Sequence, residues 1–317
     1  MNLFVTGGTG FFGKALLRYW QKNKPQFKKI YLLSRSPDTF LENYSDLVKG
    51  LPIELVKGDI LNLSEFNIDQ DFDFVLHAAT DSTIGPTMDK LDIYQQITHG
   101  SEEVLKFATS HNCQKFVLTS SGGVYGIQPS SLAKISEDYL GMPDSLNPNS
   151  AYGIGKRSAE HITALYAKKY NFDFVVARCF AFVGEDLPLD AHFAIGNFLN
   201  SAINGQDIII NGDGSPLRSY MYQEDLARVL TNLMLNDYKY NVFNVGSDYA
   251  ISIKDLAYLV KKLIPGSGTI KIMSRDDGNN KNIYVPSIKR LMEVFPSENF
   301  LSLENAILKT SHQLGKH

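Results

Sequence analysis

Three residues carry side chains whose types and spacing could do chemistry together. Tyr152 and Lys156 stand four apart in Ala151-Tyr152-Gly153-Ile154-Gly155-Lys156, and Ser121 closes the earlier run Thr119-Ser120-Ser121. An interval of four places two side chains on one helical face, so both can point into one site. A tyrosine by itself, with a pKa of about 10, is a poor acid or base at neutral pH. A nearby ammonium and an oxidised nicotinamide ring together stabilise the phenolate and draw that pKa toward the working range. A serine hydroxyl at a strand end can donate to the same substrate oxygen. This set suits hydride transfer at a carbon whose oxygen gains or loses a proton.

The elements that must position these groups begin at the first residues. Leu3 to Thr6 are of strand type and run into Gly7-Gly8-Thr9-Gly10-Phe11-Phe12-Gly13, after which Ala15, Leu16, Leu17 and Trp20 recur at helical spacing. One glycine makes the tight turn, one admits the pyrophosphate to the backbone, and one lets the helix pack on the strand. The helix N-terminus offers N–H groups and partial positive charge to the anion. Gly7, Thr9, Gly10, Phe11, Phe12 and Gly13 are therefore candidate dinucleotide contacts.

A second strand, Lys29 to Leu33, ends in Ser34-Arg35-Ser36. An acidic residue there would hold the ribose 2′-hydroxyl of NAD, whereas an arginine accommodates the 2′-phosphate of NADP. With no carboxylate present and a guanidinium flanked by hydroxyls, NADP is the expected cofactor and NAD the alternative. A third strand, Ile53 to Lys57, leads to Asp59 and Ile60 at the adenine end; Asp59 could bond the adenine amino group or cap the next turn. A fourth, Phe72 to Leu76, ends in His77-Ala78-Ala79-Thr80, whose small residues let a dinucleotide pass close by. His77 reads as a satisfied buried histidine. A long helix over about 91–111 and a fifth strand, Lys115 to Thr119, complete the alternation, with Thr119 at the cofactor. Strands and helices alternating in this way predict an α/β fold with a doubly wound parallel sheet, ligands lying at the carboxyl ends of its strands.

The chain has 317 residues, 44% hydrophobic and 21% charged, with a formal net charge of −3 and a pI near 6.2. That balance gives no general attraction to nucleic acid or anionic membrane. The two cysteines, Cys113 and Cys179, indicate neither a disulfide framework nor a metal site. No apolar run reaches the roughly 18 residues of a membrane helix, and the first strand starts at once, so a soluble cytoplasmic protein is expected. The polar tail from Lys309 is expected to fray.

Thr6-Gly7-Gly8-Thr9-Gly10-Phe11-Phe12-Gly13, Thr119-Ser120-Ser121 and Tyr152-Gly153-Ile154-Gly155-Lys156 resemble the extended short-chain dehydrogenase/reductases, and more narrowly their nucleotide-sugar epimerase/dehydratase/reductase branch. The resemblance runs over essentially the whole chain. It implies that Tyr152 is the acid/base, Lys156 its partner and a ribose ligand, and Ser121 the polarising hydroxyl. Phe180, in Arg178-Cys179-Phe180-Ala181, would lie against the nicotinamide, and Ala181 replaces the family's asparagine. Gly122 would border the sugar, His192 and Phe193 the nucleotide, and Arg218 and then Arg275 the substrate pyrophosphate, for which guanidinium is well suited. The family's asparagine in the long helix falls at Gln96 or Ile97.

The resemblance also implies a division into a dinucleotide domain over 1–177, with 206–248 returning to it, and a substrate lobe from 178–205 and 249–317. It further implies a homodimer through the helices at about 91–111 and 151–170. Gly122-Gly123 stands where 4,6-dehydratases carry Asp-Glu, where decarboxylases carry a carboxylate and where fucose-type epimerase/reductases carry a cysteine. Hydride transfer alone is what remains. The first expectation is NADPH-dependent reduction of a nucleotide-linked 4-keto-6-deoxy sugar at C4. The second is a nucleotide-sugar 4-epimerase, and the third a non-catalytic NADP-sensing or RNA-binding protein on the same scaffold.

Overall fold

The structure is a computed structural model that describes residues 1–66, 68–80, 88–189, 191, 193–274, 282–296 and 299–315. In chain order its first elements are β1 (Asn2–Thr6), α1 (Phe11–Asn23), β2 (Lys29–Ser34), α2 (Pro37–Tyr44), β3 (Ile53–Lys57) and β4 (Phe74–His77). They are followed by α3 (Lys90–Ser110), β5 (Lys115–Ser121), α4 (Ala151–Tyr170) and β6 (Asp173–Cys179). Then come β7 (Phe182–Val183), α5 (Ala194–Ile203), β8 (Ile208–Ile210), β9 (Leu217–Arg218), β10 (Met221–Tyr222), α6 (Gln223–Leu235) and β11 (Val242–Val245). The last are β12 (Ile251–Ser252), α7 (Ile253–Leu263), β13 (Ile270–Ile272), β14 (Ile283–Tyr284), α8 (Lys289–Val294) and α9 (Leu303–Leu314).

The chain divides into two compact units. The first comprises Met1–Gly126, Met142–Cys179 and Ala227–Phe243, and the second Ile127–Gly141, Phe180–Leu226 and Asn244–His317. The seven-stranded sheet has the order β11-β6-β5-β4-β1-β2-β3, and the boundary between the units falls within β11. β1 pairs in parallel with both β2 and β4, and β4–β5 and β5–β6 are parallel as well. After β1 the chain therefore builds outward through β2 and β3, then crosses to the other side for β4. The reversal leaves a crevice at the carboxyl ends of β1 and β4, the place where such sheets receive ligands.

Burial on both faces explains the near-continuous apolar strands: Leu3, Phe4 and Val5 of β1 are all buried, as is every residue of β5. Phe4, Val75, Phe116 and Leu118 share one cluster with Val104, Leu105 and Phe107 of α3 and Ala159 of α4. Asp89 starts α3 by accepting from Leu91 N at 2.8 Å, which satisfies one of the N–H groups a helix end leaves over. On α1, buried Trp20 donates its Nε1–H to Thr231 Oγ1 of α6 at 2.9 Å.

In the second unit β9 pairs antiparallel with β12 and parallel with β14, β10 pairs with β7, and β13 with β8. Its C-terminal segment departs from expectation. α9 continues to Leu314, capped at Ser302, with Leu303, Ala306, Ile307 and Thr310 buried at helical spacing. Lys309 pairs with Glu224 at 2.6 Å. The tail reads as polar because its exposed face is polar; the buried face hides in the spacing.

Candidate active site

β1 delivers the chain to Gly7 at φ 73°, a left-handed conformation that suits glycine. A Cβ at Gly7 would sit 2.5 to 2.7 Å from backbone atoms of Ala78 and Ala79, so the exit of β4 crosses directly over the turn. Gly10 N donates to Gly7 O at 3.1 Å. Gly10 also precedes α1 without a side-chain cap, and the first turn of α1 holds no acidic residue. Thr9, Phe11 and Phe12 are half-buried at the rim, with the two rings 5.7 Å apart. A Cβ at Gly13 would collide with the backbone of Gly8. A glycine-walled cradle beneath a positive helix end fits a dinucleotide pyrophosphate.

At the end of β2, buried Ser34 accepts from Ser36 N at 3.2 Å, while Arg35 and Ser36 are exposed. Asp59 Oδ1 accepts from Leu61 N at 3.0 Å and caps the turn that begins at buried Ile60. His77 is fully enclosed. Its Nδ1 lies 2.7 Å from Thr6 Oγ1 and its Nε2 3.1 Å from Ser101 Oγ. Burial, with Lys156 adding to it, pushes its pKa down to about 3, so the ring is a neutral structural link.

Ser121 ends β5. Its Oγ accepts from Gly123 N at 3.1 Å, capping the single 3-10 turn Gly122–Tyr125. The first turn of α4 is pressed against this turn, for a Cβ at Gly153 would lie 2.6 Å from Gly123 O. A Cβ at Gly123, by contrast, would meet Ser121 Oγ at 3.4 Å and Tyr152 Cδ1 at 3.8 Å, both ordinary contacts. Position 123 therefore faces the gap between the serine and the half-buried tyrosine.

One turn along α4, buried Lys156 donates to Thr80 Oγ1 at 2.7 Å and to Thr119 O at 2.9 Å. Burial lowers its pKa to about 8, against the raising influence of Cys179 and Glu160. Two of its three N–H donors are thus fixed, and the threonines expected beside the cofactor also hold the lysine. Thr119 Oγ1 in turn donates to His77 O at 3.1 Å. Gly155 packs on Ile97, whose side chain would lie 3.3 Å from a Cβ there. Helices α3 and α4 thus meet here through an apolar contact.

The second unit carries the other candidates. Arg218 on β9 is half-buried, donates from Nη1 to Leu217 O at 2.8 Å and Asn282 O at 3.0 Å, and lies 6.0 Å from the Tyr284 ring. Burial lowers its pKa. Phe180 lies against the same tyrosine, its ring centre 4.7 Å from that of Tyr284 and tilted by 37°. Phe193 is the residue before the first turn of α5. His192 and Arg275 lie outside the described residues.

Residues 3–246 match the model of the NAD dependent epimerase/dehydratase family. The chain belongs to that family. Among the curated relatives of this chain, the dTDP-D-glucose 4,6-dehydratase of Dictyostelium discoideum is 26% identical over 274 residues, 83% of this chain and 61% of that protein, so this chain spans about three fifths of that relative. Among solved structures, the UDP-glucose 4-epimerase of Thermotoga maritima with UDP-glucose has a TM-score of 0.84 at 21% identity, covering 100% of this chain and 99% of that one. The UDP-glucuronic acid 4-epimerase of Bacillus cereus with UDP-glucuronic acid and NAD has a TM-score of 0.82 at 24% identity, covering 100% and 99%. No described helix is long and apolar enough to cross a membrane.

Motif reading missed one group in this family member: Ser120, Glu160 and Arg178, joined by side-chain hydrogen bonds beneath the site. The only signal was the interval of four from Lys156 to Glu160.

Proposed function

We propose that the protein reduces a nucleotide-linked 4-keto-6-deoxy sugar at C4 with NADPH. The observation that carries this reading is the bare position 123, where a Cβ would lie 3.4 Å from Ser121 Oγ and 3.8 Å from Tyr152 Cδ1, with buried Lys156 one helical turn beyond Tyr152. A proton donor is at hand, and neither Gly122 nor Gly123 brings the carboxylate or thiol that elimination, decarboxylation or epimerisation beside the ketone would require. A bound dinucleotide supplies the hydride. Tyr152 gives its phenolic proton to the sugar oxygen, and Ser121 donates to that same oxygen. The Lys156 ammonium, steadied by Thr80 and Thr119, stabilises the phenolate that remains. Arg218 and the segment around Phe193 supply the grip on the nucleotide, with the second unit as the substrate lobe.

NADPH is favoured by the exposed Arg35 and the absence of any carboxylate in Ser34-Arg35-Ser36. A second reading, an NAD-dependent 4-epimerase, is favoured by the description of the family and by the NAD named with the Bacillus cereus neighbour. The two separate in one assay. Stoichiometric loss of absorbance at 340 nm with a 4-keto sugar nucleotide supports reduction. Interconversion of two sugar nucleotides without added cofactor overturns it in favour of epimerisation.

We also infer a homodimer. A groove of about 670 Å³ between α3 and α4 is lined by Tyr94, Thr98, Ile154, Ile162 and Leu165, and Leu165 is 54% exposed. Light scattering gives the mass directly. The buried thiols of Cys113 and Cys179 suit the reducing cytoplasm, which we take as the compartment.

A further inference from the structure

Beneath the candidate site lies a polar cluster that hydride transfer itself does not use. Ser120 Oγ donates to Glu160 Oε1 at 2.5 Å. Arg178 donates from Nε to both carboxylate oxygens, at 2.9 and 3.2 Å, and from Nη2 to Oε2 at 2.7 Å. The guanidinium also lies 4.7 Å from the Tyr125 ring centre. The two ionic side chains are only 13% and 11% exposed.

The cluster joins three elements at positions next to the chemistry. Ser120 stands between Thr119, whose carbonyl holds Lys156, and Ser121. Glu160 follows Lys156 by one helical turn on α4. Arg178 faces Ser120 in the register of β5 and β6. A buried ion pair is weak evidence for stability, since desolvation offsets much of its attraction. Its bidentate geometry does fix one strand end against one helix turn.

We propose that Glu160 is a positioning residue for Lys156: through Ser120 and Arg178 it locks the end of β5 to α4, and its negative charge keeps the buried lysine in the ammonium form. The proposal rests on the reading of Lys156 as the partner of Tyr152. The other groups near Lys156 supply no such charge: the Arg178 guanidinium on β6 has the lysine's own sign. Thr80 and Thr119 are neutral, and His77 on β4 is a neutral ring. Cys179 on β6 is a thiol whose pKa burial raises to about 12. Tyr152 on α4 is the group that Lys156 serves.

The test reads the lysine directly, with no substrate. Protein carrying ¹³Cε-labelled lysine is titrated by NMR, the Lys156 signal being assigned by its loss in Lys156→Arg. A midpoint near 8 is expected for the native chain. In Glu160→Gln it falls by about one pH unit, as removal of a nearby opposite charge requires. In Ser120→Ala, which keeps the charge, it stays in place. The double variant Glu160→Gln with Arg178→Met removes the guanidinium's like charge as well, so a midpoint that still falls there is due to the lost carboxylate, and one that does not fall overturns the proposal. An unchanged midpoint in Glu160→Gln by itself does so too, whether or not the protein turns over any sugar nucleotide. With turnover in hand, the alkaline limb of kcat/KM moves with the NMR midpoint in Glu160→Gln and returns in Glu160→Asp. A uniform loss at every pH would instead mark a merely structural role and count against the proposal.

Discussion

Tyr152 and Lys156 make different demands on an experiment. Tyr152→Phe keeps the ring and removes the proton, so kcat should drop by about 10²- to 10⁴-fold, while dinucleotide binding followed by fluorescence persists. Lys156 is needed as an ammonium, and its pKa of about 8 places the alkaline loss of kcat/KM near that pH. The same depression has a sign in stability. Above the unfolded lysine value of 10.5 the buried amine is neutral and carries no charging penalty; as pH falls through about 8 the native state must hold the charge and that advantage is lost. Melting temperatures should therefore gain from Lys156 between pH 8 and pH 10.5, and Lys156→Met should remove that gain. His77 adds an acid counterpart, a contribution present above 6.5 and lost as pH falls toward about 3.

At the scale of elements, the first turn of α4 lies hard against the 3-10 turn after β5. Gly153→Ala would put a methyl group 2.6 Å from Gly123 O and 2.9 Å from Pro143 Cγ. Helix α4 must then retreat and take Tyr152 with it. The expected cost is about 1–3 kcal/mol, read as a fall in the urea midpoint together with lower kcat. Gly123→Ala, whose methyl meets only ordinary contacts, should leave the urea midpoint nearly unchanged. The same packing separates what the sequence discloses from what it hides. The strand, glycine turn and helix at Leu3 to Trp20 are local patterns, and so is the Tyr152–Lys156 interval; both can be read without knowing any neighbour. The holders of Lys156 are Thr80 and Thr119, on two other strand ends, and only the sheet order makes them neighbours. Ser120, Glu160 and Arg178 were hidden for the same reason. The buried face of α9 was overlooked because one apolar stripe lies among polar residues.

At the scale of the molecule, distant segments of the chain complete the first unit. Thr231→Val leaves the indole N–H of Trp20 buried without its acceptor, a loss of about 1–3 kcal/mol. The measurement is simple because Trp20 is the single tryptophan, so its emission reports the unfolding of the first unit in urea. That contact belongs to the segment Ala227–Phe243, which rejoins the first unit after Phe180–Leu226 has gone into the second. Farther along the same segment, Asn241 O accepts from Val176 N at 2.7 Å on the outer edge of β6. A nascent chain that has left the ribosome only as far as Cys179 thus carries the glycine turn, the tyrosine and the lysine, yet β6 has a bare edge and Trp20 an unmet donor. Translation must run on through Phe180–Leu226 of the second unit before the first can close, and until then the growing polypeptide offers an open strand that chaperones or other nascent chains can pair with.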